Sequence, residues 1–152
     1  MRILRRYCGL TAFERRIAWQ SSAGLVVTWA GLRVFGFGRW RKILNALTPK
    51  VATVCKGVAI DDVARSISRI QAAVERRFFS KPSCLEHALV LFWVLRKHGI
   101  PANIIIGGRK ESERFEAHAW VEAEVLGLDR GEGGVRFVPF DRPITLMENQ
   151  GR

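Results

Sequence analysis

Cys84, three histidines (His87, His98 and His118) and the carboxylates Asp129 and Asp141 are the residues whose types could combine into a nucleophile, a base and an orienting group. Cys84 has the best-defined setting. It follows Ser83 in "KPSCLEHALVLFWVLRKHGIP", where Ser83 and Glu86 form an S-x-x-E capping box, so the cysteine takes the first helical position. A thiol there lies beside unpaired backbone N–H groups and the positive end of the helix dipole. Both favour the nucleophilic thiolate, and the same N–H groups could hold the oxyanion of a tetrahedral intermediate. On position alone, the competing role is that of a small buried apolar residue, the usual place of a free cysteine.

A cysteine nucleophile needs a base, and the base needs an orienting group. His98 closes the helix among Arg96 and Lys97 and is explained by the helix dipole. His87 is three residues from Cys84 on the same helix face, where side-chain direction constrains its approach. His118 stands mid-strand in "FEAHAWVEAEV", a segment of strict alternation. There it is either a base brought to the thiol or a polar residue on a solvent-facing strand surface. If 116–125 and 135–140 pair as a hairpin, Asp141 falls near the entry of the His118 strand and can fix the imidazole's tautomer. Asp129 sits in "LGLDRGEGG", a turn, and competes for the same role; spacing does not choose between them. A zinc site from Cys84, His87, Cys55 and His118 has only one short ligand pair, whereas structural zinc sites normally show two. No metal or other cofactor is expected.

The elements that must position these residues follow from capping and periodicity. Thr11 and Glu14 form a T-x-x-E box that opens a helix to about Val34. "VFGFGRWRK" interrupts it with glycines, and a second short helix fits before Thr48-Pro49. Asp61 and Asp62 can cap a further helix, with Val63, Ile67, Ile70, Val74 and Phe78 as its apolar stripe. The Cys84 helix stops at Gly99 and Pro101. Beyond it "ANIIIGG" reads as a strand. In the alternating segment Phe115, Ala117, Ala119, Val121, Ala123 and Val125 share one face, and Glu116, His118, Trp120, Glu122 and Glu124 the other. "VRFVPF" is a returning strand that ends at Asp141. Helices first and an antiparallel sheet after them make an α+β fold. The expected organisation is a basic helical region over 1–50 and a core over 51–152, joined in one compact unit.

Composition narrows the class. With 152 residues, 48% hydrophobic and 26% charged, the chain reads as globular. Residues 1–83 carry 16 Lys/Arg against 4 Asp/Glu, and the remainder 9 against 10, so the net charge of +11 lies in the first half. That asymmetry suits an acidic partner: nucleic acid, an anionic membrane surface, or an acidic peptide or protein. Arg33, Arg39, Arg41 and Lys42 interleave with Phe35, Phe37 and Trp40 as nucleic-acid surfaces do, but no nucleic-acid module is present, and a solvated face with core aromatics is the preferred reading. The uncharged run Ile17 to Leu32 is short for a membrane span, which leaves room for peripheral membrane contact. Cys8, Cys55 and Cys84 have unrelated spacings without a CxxC pair, which indicates neither a disulfide framework nor a zinc ribbon and makes a reducing cytoplasm the simplest compartment.

Taken together, "CLEHALVLFWVLRKHGIPANIIIGGRK", "FEAHAWVE" and "RFVPFD" resemble the transglutaminase-like cysteine protease core. More narrowly, they resemble the B protein of lasso peptide biosynthesis in its split form, which lacks a fused leader-recognition domain. "LTAFERRIAW" resembles the helical lead-in of those proteins. The resemblance implies a papain-like core with the nucleophile helix packed on an antiparallel sheet, and a triad of Cys84, His118 and Asp141. Relatives of the lasso type often place the acidic residue sooner after the histidine, so Asp129 stays as the alternative. His87 falls on a variable position of the motif. The implied reaction is cleavage of a leader from a precursor peptide. The implied partners are that precursor, a small leader-binding protein and an ATP-dependent cyclase. The basic first half would dock the leader or these proteins. Two rivals are a transglutaminase-like acyl transfer to an amine and a non-catalytic basic scaffold.

Overall fold

The structure is a computed structural model, and it describes residues 11–48, 58–78, 83–111, 114–123 and 137–140. Three helices precede three strands: α1 (Ala12–Leu47), α2 (Val58–Phe78), α3 (Cys84–Lys97), β1 (Ala102–Glu111), β2 (Arg114–Ala123) and β3 (Val138–Pro139). The α+β order expected from the sequence is therefore what the chain adopts.

Local chemistry sets the helix ends. Thr11 Oγ1 accepts the Glu14 amide at 3.2 Å while Glu14 Oε2 accepts the Thr11 amide at 2.8 Å, a closed capping box. Those bonds from Thr11, backbone first, hold the Glu14 carboxyl below its ordinary value. α1 is two helical segments joined at Gly36, whose φ of 70° only glycine adopts freely. The second segment turns back on the first. A Cβ at Gly31 would stand 2.4 Å from the Trp40 ring, so the bare backbone of one segment receives the indole of the other. α2 starts at Val58, three residues before the expected cap. Asp61 lies in the first turn, where it complements the dipole, and Asp62 pairs with Arg65 at 2.9 Å.

α3 is the hub. Leu89, Leu91, Phe92, Val94 and Leu95 are all fully enclosed, because α1, α2, β1 and β2 pack around this helix. Apolarity on every side is what a helix at the centre of a fold requires, and each such side chain stabilises the fold by about 1.5–3 kcal/mol. Its C-terminus is a Schellman motif. Gly99 (φ 77°) donates to Arg96 O and Ile100 to Leu95 O, each at 3.0 Å.

β1 and β2 form an antiparallel hairpin from Ala102↔Ala123 to Glu111↔Arg114. The strand order is β2-β1-β3, and β3 pairs with β1 through Gly107↔Pro139 and Gly108↔Val138. The expected pairing of 116–125 with 135–140 is thus corrected. The nearer segment, 102–111, takes the place beside β2, as a short turn closes a hairpin at the least entropic cost. The returning strand joins the far side of β1. Alternation holds along β2. Ala119, Val121 and Ala123 join Ile104 on the face that α3 covers, and His118 and Trp120 share the other face with Ile105.

Candidate active site

Cys84 is the first residue of α3, half-buried and packed against the core. Ser83 Oγ accepts the Glu86 amide at 3.2 Å, and Glu86 Oε2 accepts the Ser83 amide at 2.8 Å. His87 N–H reaches Ser83 O at 3.0 Å. With the amides of Glu86 and His87 so engaged, those of Cys84 and Leu85 are the ones the helix ladder leaves over, next to the thiol. The position derived from the capping box is the one the helix adopts.

His118 lies on β2 opposite Gly107, which faces Pro139 on its other side. Its ring stands 4.8 Å from the Phe137 ring and 6.2 Å from that of Trp120, with interplanar angles of 25° and 16°. Trp120 and Ile105 are 4% and 5% exposed, so this sheet face is not the solvent-facing surface that alternation alone allowed. Gly107 makes the arrangement possible. A Cβ there would meet Val138 O at 2.5 Å and the Trp120 ring at 2.7 Å. At the open end of the face, Arg109 pairs with Glu116 at 2.7 Å and lies over the Phe137 ring. Amid these rings the His118 Nε2 is buried, with no hydrogen-bond partner among the described residues. A buried polar atom left open is costly and calls for a specific reason, a catalytic role being one.

The packing of α3 on β1 and β2 brings the elements of Cys84 and His118 together. α3 covers the Ala119–Val121 face while His118 belongs to the Trp120 face, and no hydrogen bond joins the two side chains. Asp141, Asp129 and Cys55 lie outside the described residues. Among the described residues no group of three His, Cys, Asp or Glu could hold a metal ion.

The other histidines have structural partners. His87 Nδ1 is 2.6 Å from Glu75 Oε2, and Gln71 Nε2 donates to both Glu75 Oε1 and His87 O at 3.0 Å. This cluster of Gln71, Glu75 and His87 ties α2 to the first turn of α3. It is absent from the sequence reading, although Gln71 and Glu75, four apart beside the buried Ile67, Ile70 and Val74, were a usable signal. His98 caps α3, places its ring edge-on to Phe13 at 5.5 Å and has Nε2 3.0 Å from Gln20 Oε1. It binds α3 to α1 as well as facing the dipole.

A cysteine opens the central helix of an α+β fold, and that helix packs on the antiparallel sheet that carries the histidine. The sequence model of the transglutaminase-like superfamily matches residues 24–140, and the chain belongs to that superfamily. Its members are in general cysteine peptidases or acyltransferases. No curated protein and no solved structure matches the chain.

Proposed function

We propose that this protein is the leader peptidase of lasso peptide maturation, acting through Cys84, His118 and Asp141. The observation that carries the reading is the half-buried thiol at the first turn of a doubly capped helix. The open His118 Nε2 supports a histidine that waits for a proton-bearing partner. Catalytic hydrogen bonds commonly tighten only when substrate is in place.

In this mechanism Cys84 Sγ gives its proton to His118 and attacks the carbonyl carbon at the leader–core junction, and the amides of Cys84 and Leu85 receive the oxyanion. As the C–N bond breaks, His118 protonates the leaving nitrogen, which becomes the core's free α-amine. The leader remains as a thioester on Cys84. His118 then takes a proton from water, whose oxygen displaces the thiolate and releases the leader as an acid. Asp141 accepts from the imidazole and holds its tautomer. A separate leader-binding protein would present the precursor, and an ATP-dependent cyclase would consume the freed amine.

The test combines precursor, leader-binding partner and this protein, and reads the products by mass spectrometry. Leader acid plus intact core is expected, with none from Cys84→Ala. Cleavage that survives Cys84→Ala overturns the mechanism. A leader recovered as the amide of an added amine assigns the chain to the acyltransferases. Loss of cleavage in Asp129→Ala with retention in Asp141→Ala transfers the third role to Asp129.

A further inference from the structure

The first segment of α1 is apolar on two opposite faces. One, with Ile17, Ser21, Leu25 and Thr28, is buried in the fold. The other carries Trp19, Ala23, Val26, Val27, Ala30 and Val34, at the three- and four-residue steps that make one continuous stripe of a helix. Among the described residues this stripe covers no other element. Trp19 is 75% exposed, Val26 56%, Val27 54% and Val34 72%. Exposed residues in so ordered a row mark an interaction surface rather than scattered surface apolarity.

The charges say what it meets. Arg15, Arg16 and Arg33 are exposed on the same segment, and Arg39 and Lys42 follow beyond the Gly36 bend. From Arg15 to Ile60 the sequence contains no Asp or Glu. Single-sign basic flanks around a Trp-bearing apolar stripe suit a surface that is uniformly anionic outside and apolar within. Arg33 lies over the half-exposed Trp29 ring at 4.5 Å, keeping its charge at the level where an indole sits in an interface. No helix among the described residues is long and apolar enough to cross a membrane. We propose that this face of α1 lies in the plane of an anionic lipid surface, with Trp19, Val26, Val27 and Val34 inserted and the arginines at the headgroups. The peptidase would then work on the membrane.

The experiment is co-sedimentation of the full chain with vesicles of phosphatidylcholine alone and of phosphatidylcholine mixed with phosphatidylglycerol. Binding to the anionic vesicles only, weakened by salt, is expected. Val26→Gln/Val27→Gln/Val34→Gln and Arg33→Glu/Arg39→Glu/Lys42→Glu should each weaken it at least about tenfold while circular dichroism stays unchanged. Failure of the wild-type chain to bind anionic vesicles overturns the proposal. So does binding of both variants as tight as that of the wild-type chain. Concentration-dependent dimerisation abolished by the valine variant, without vesicle binding, would assign the stripe to a second copy and likewise overturn it.

Discussion

His87 Nδ1 and Glu75 Oε2 stand 2.6 Å apart across the α2–α3 junction, both largely buried. Gln71 completes the cluster by donating to the same carboxylate and to the His87 carbonyl. Removing the carboxylate takes away the 2.6 Å contact of His87 Nδ1 and one of the two acceptors of the buried Gln71 Nε2. Glu75→Ala should therefore cost about 1–3 kcal/mol in urea unfolding. Cleavage measured well below the unfolding midpoint should persist. Its loss there would give this pair a role in the chemistry.

Ser83 secures the turn that presents the thiol. Ser83→Ala removes the acceptor for the Glu86 amide, at a cost of about 1 kcal/mol, and the melting temperature should fall by about 2–4 °C. Ser83→Asp, another good cap, should restore most of it. Equal melting temperatures for Ser83→Ala and wild type would show that the cap is energetically silent.

His118 is expected to govern rate rather than stability. His118→Ala should lower cleavage by about 10²–10⁴-fold. Cys84 should still be alkylated by iodoacetamide, and the fold should be preserved. Full activity in this variant would dismiss the imidazole as the base.

Gly107 separates His118 from Pro139, and the carbonyl of Val138 leaves no room for a side chain there. Gly107→Ala must displace the backbone of β3 or the Trp120 ring. A loss of about 1–3 kcal/mol is expected, with cleavage reduced beyond what the unfolded fraction explains. An alanine accepted without loss of stability or rate would mean that β3 can shift freely.

His98 makes stability depend on pH. Burial, then the charges of Arg16 and Lys97, hold its imidazole below the ordinary 6.5. As pH falls below that value the unfolded chain binds a proton that the folded chain does not. The contribution is whole above 6.5 and is lost as pH drops through the folded value. His98→Gln should flatten the dependence of the urea midpoint between about pH 7 and 5. An unchanged slope would assign it to other groups.

What could be read from the sequence was local. Both capping boxes name their own partners within four residues, and the stop at Gly99 needs only the glycine. The alternation along 115–123 gave the faces of β2 without its neighbours. Pairing was not legible. Phe137, beside His118 in space, is 19 residues away in sequence, and only the folded register sets it across Gly107. The Glu75–His87 contact likewise joins two helices whose relative rotation no local pattern fixes. Gly31 and Trp40 show the same limit, because the bend at Gly36 brings them together.

The enclosure of α3 has a kinetic consequence. A helix walled by α1, α2 and the sheet cannot fray alone, so its central amides should exchange with solvent only when the whole fold opens. Cys84 is thus mounted at the start of the element whose central amides should exchange most slowly among the described residues. On the proposed function, substrate would fit a thiol whose position is set before it arrives, and adjustment on binding would fall to the strands and their aromatic side chains.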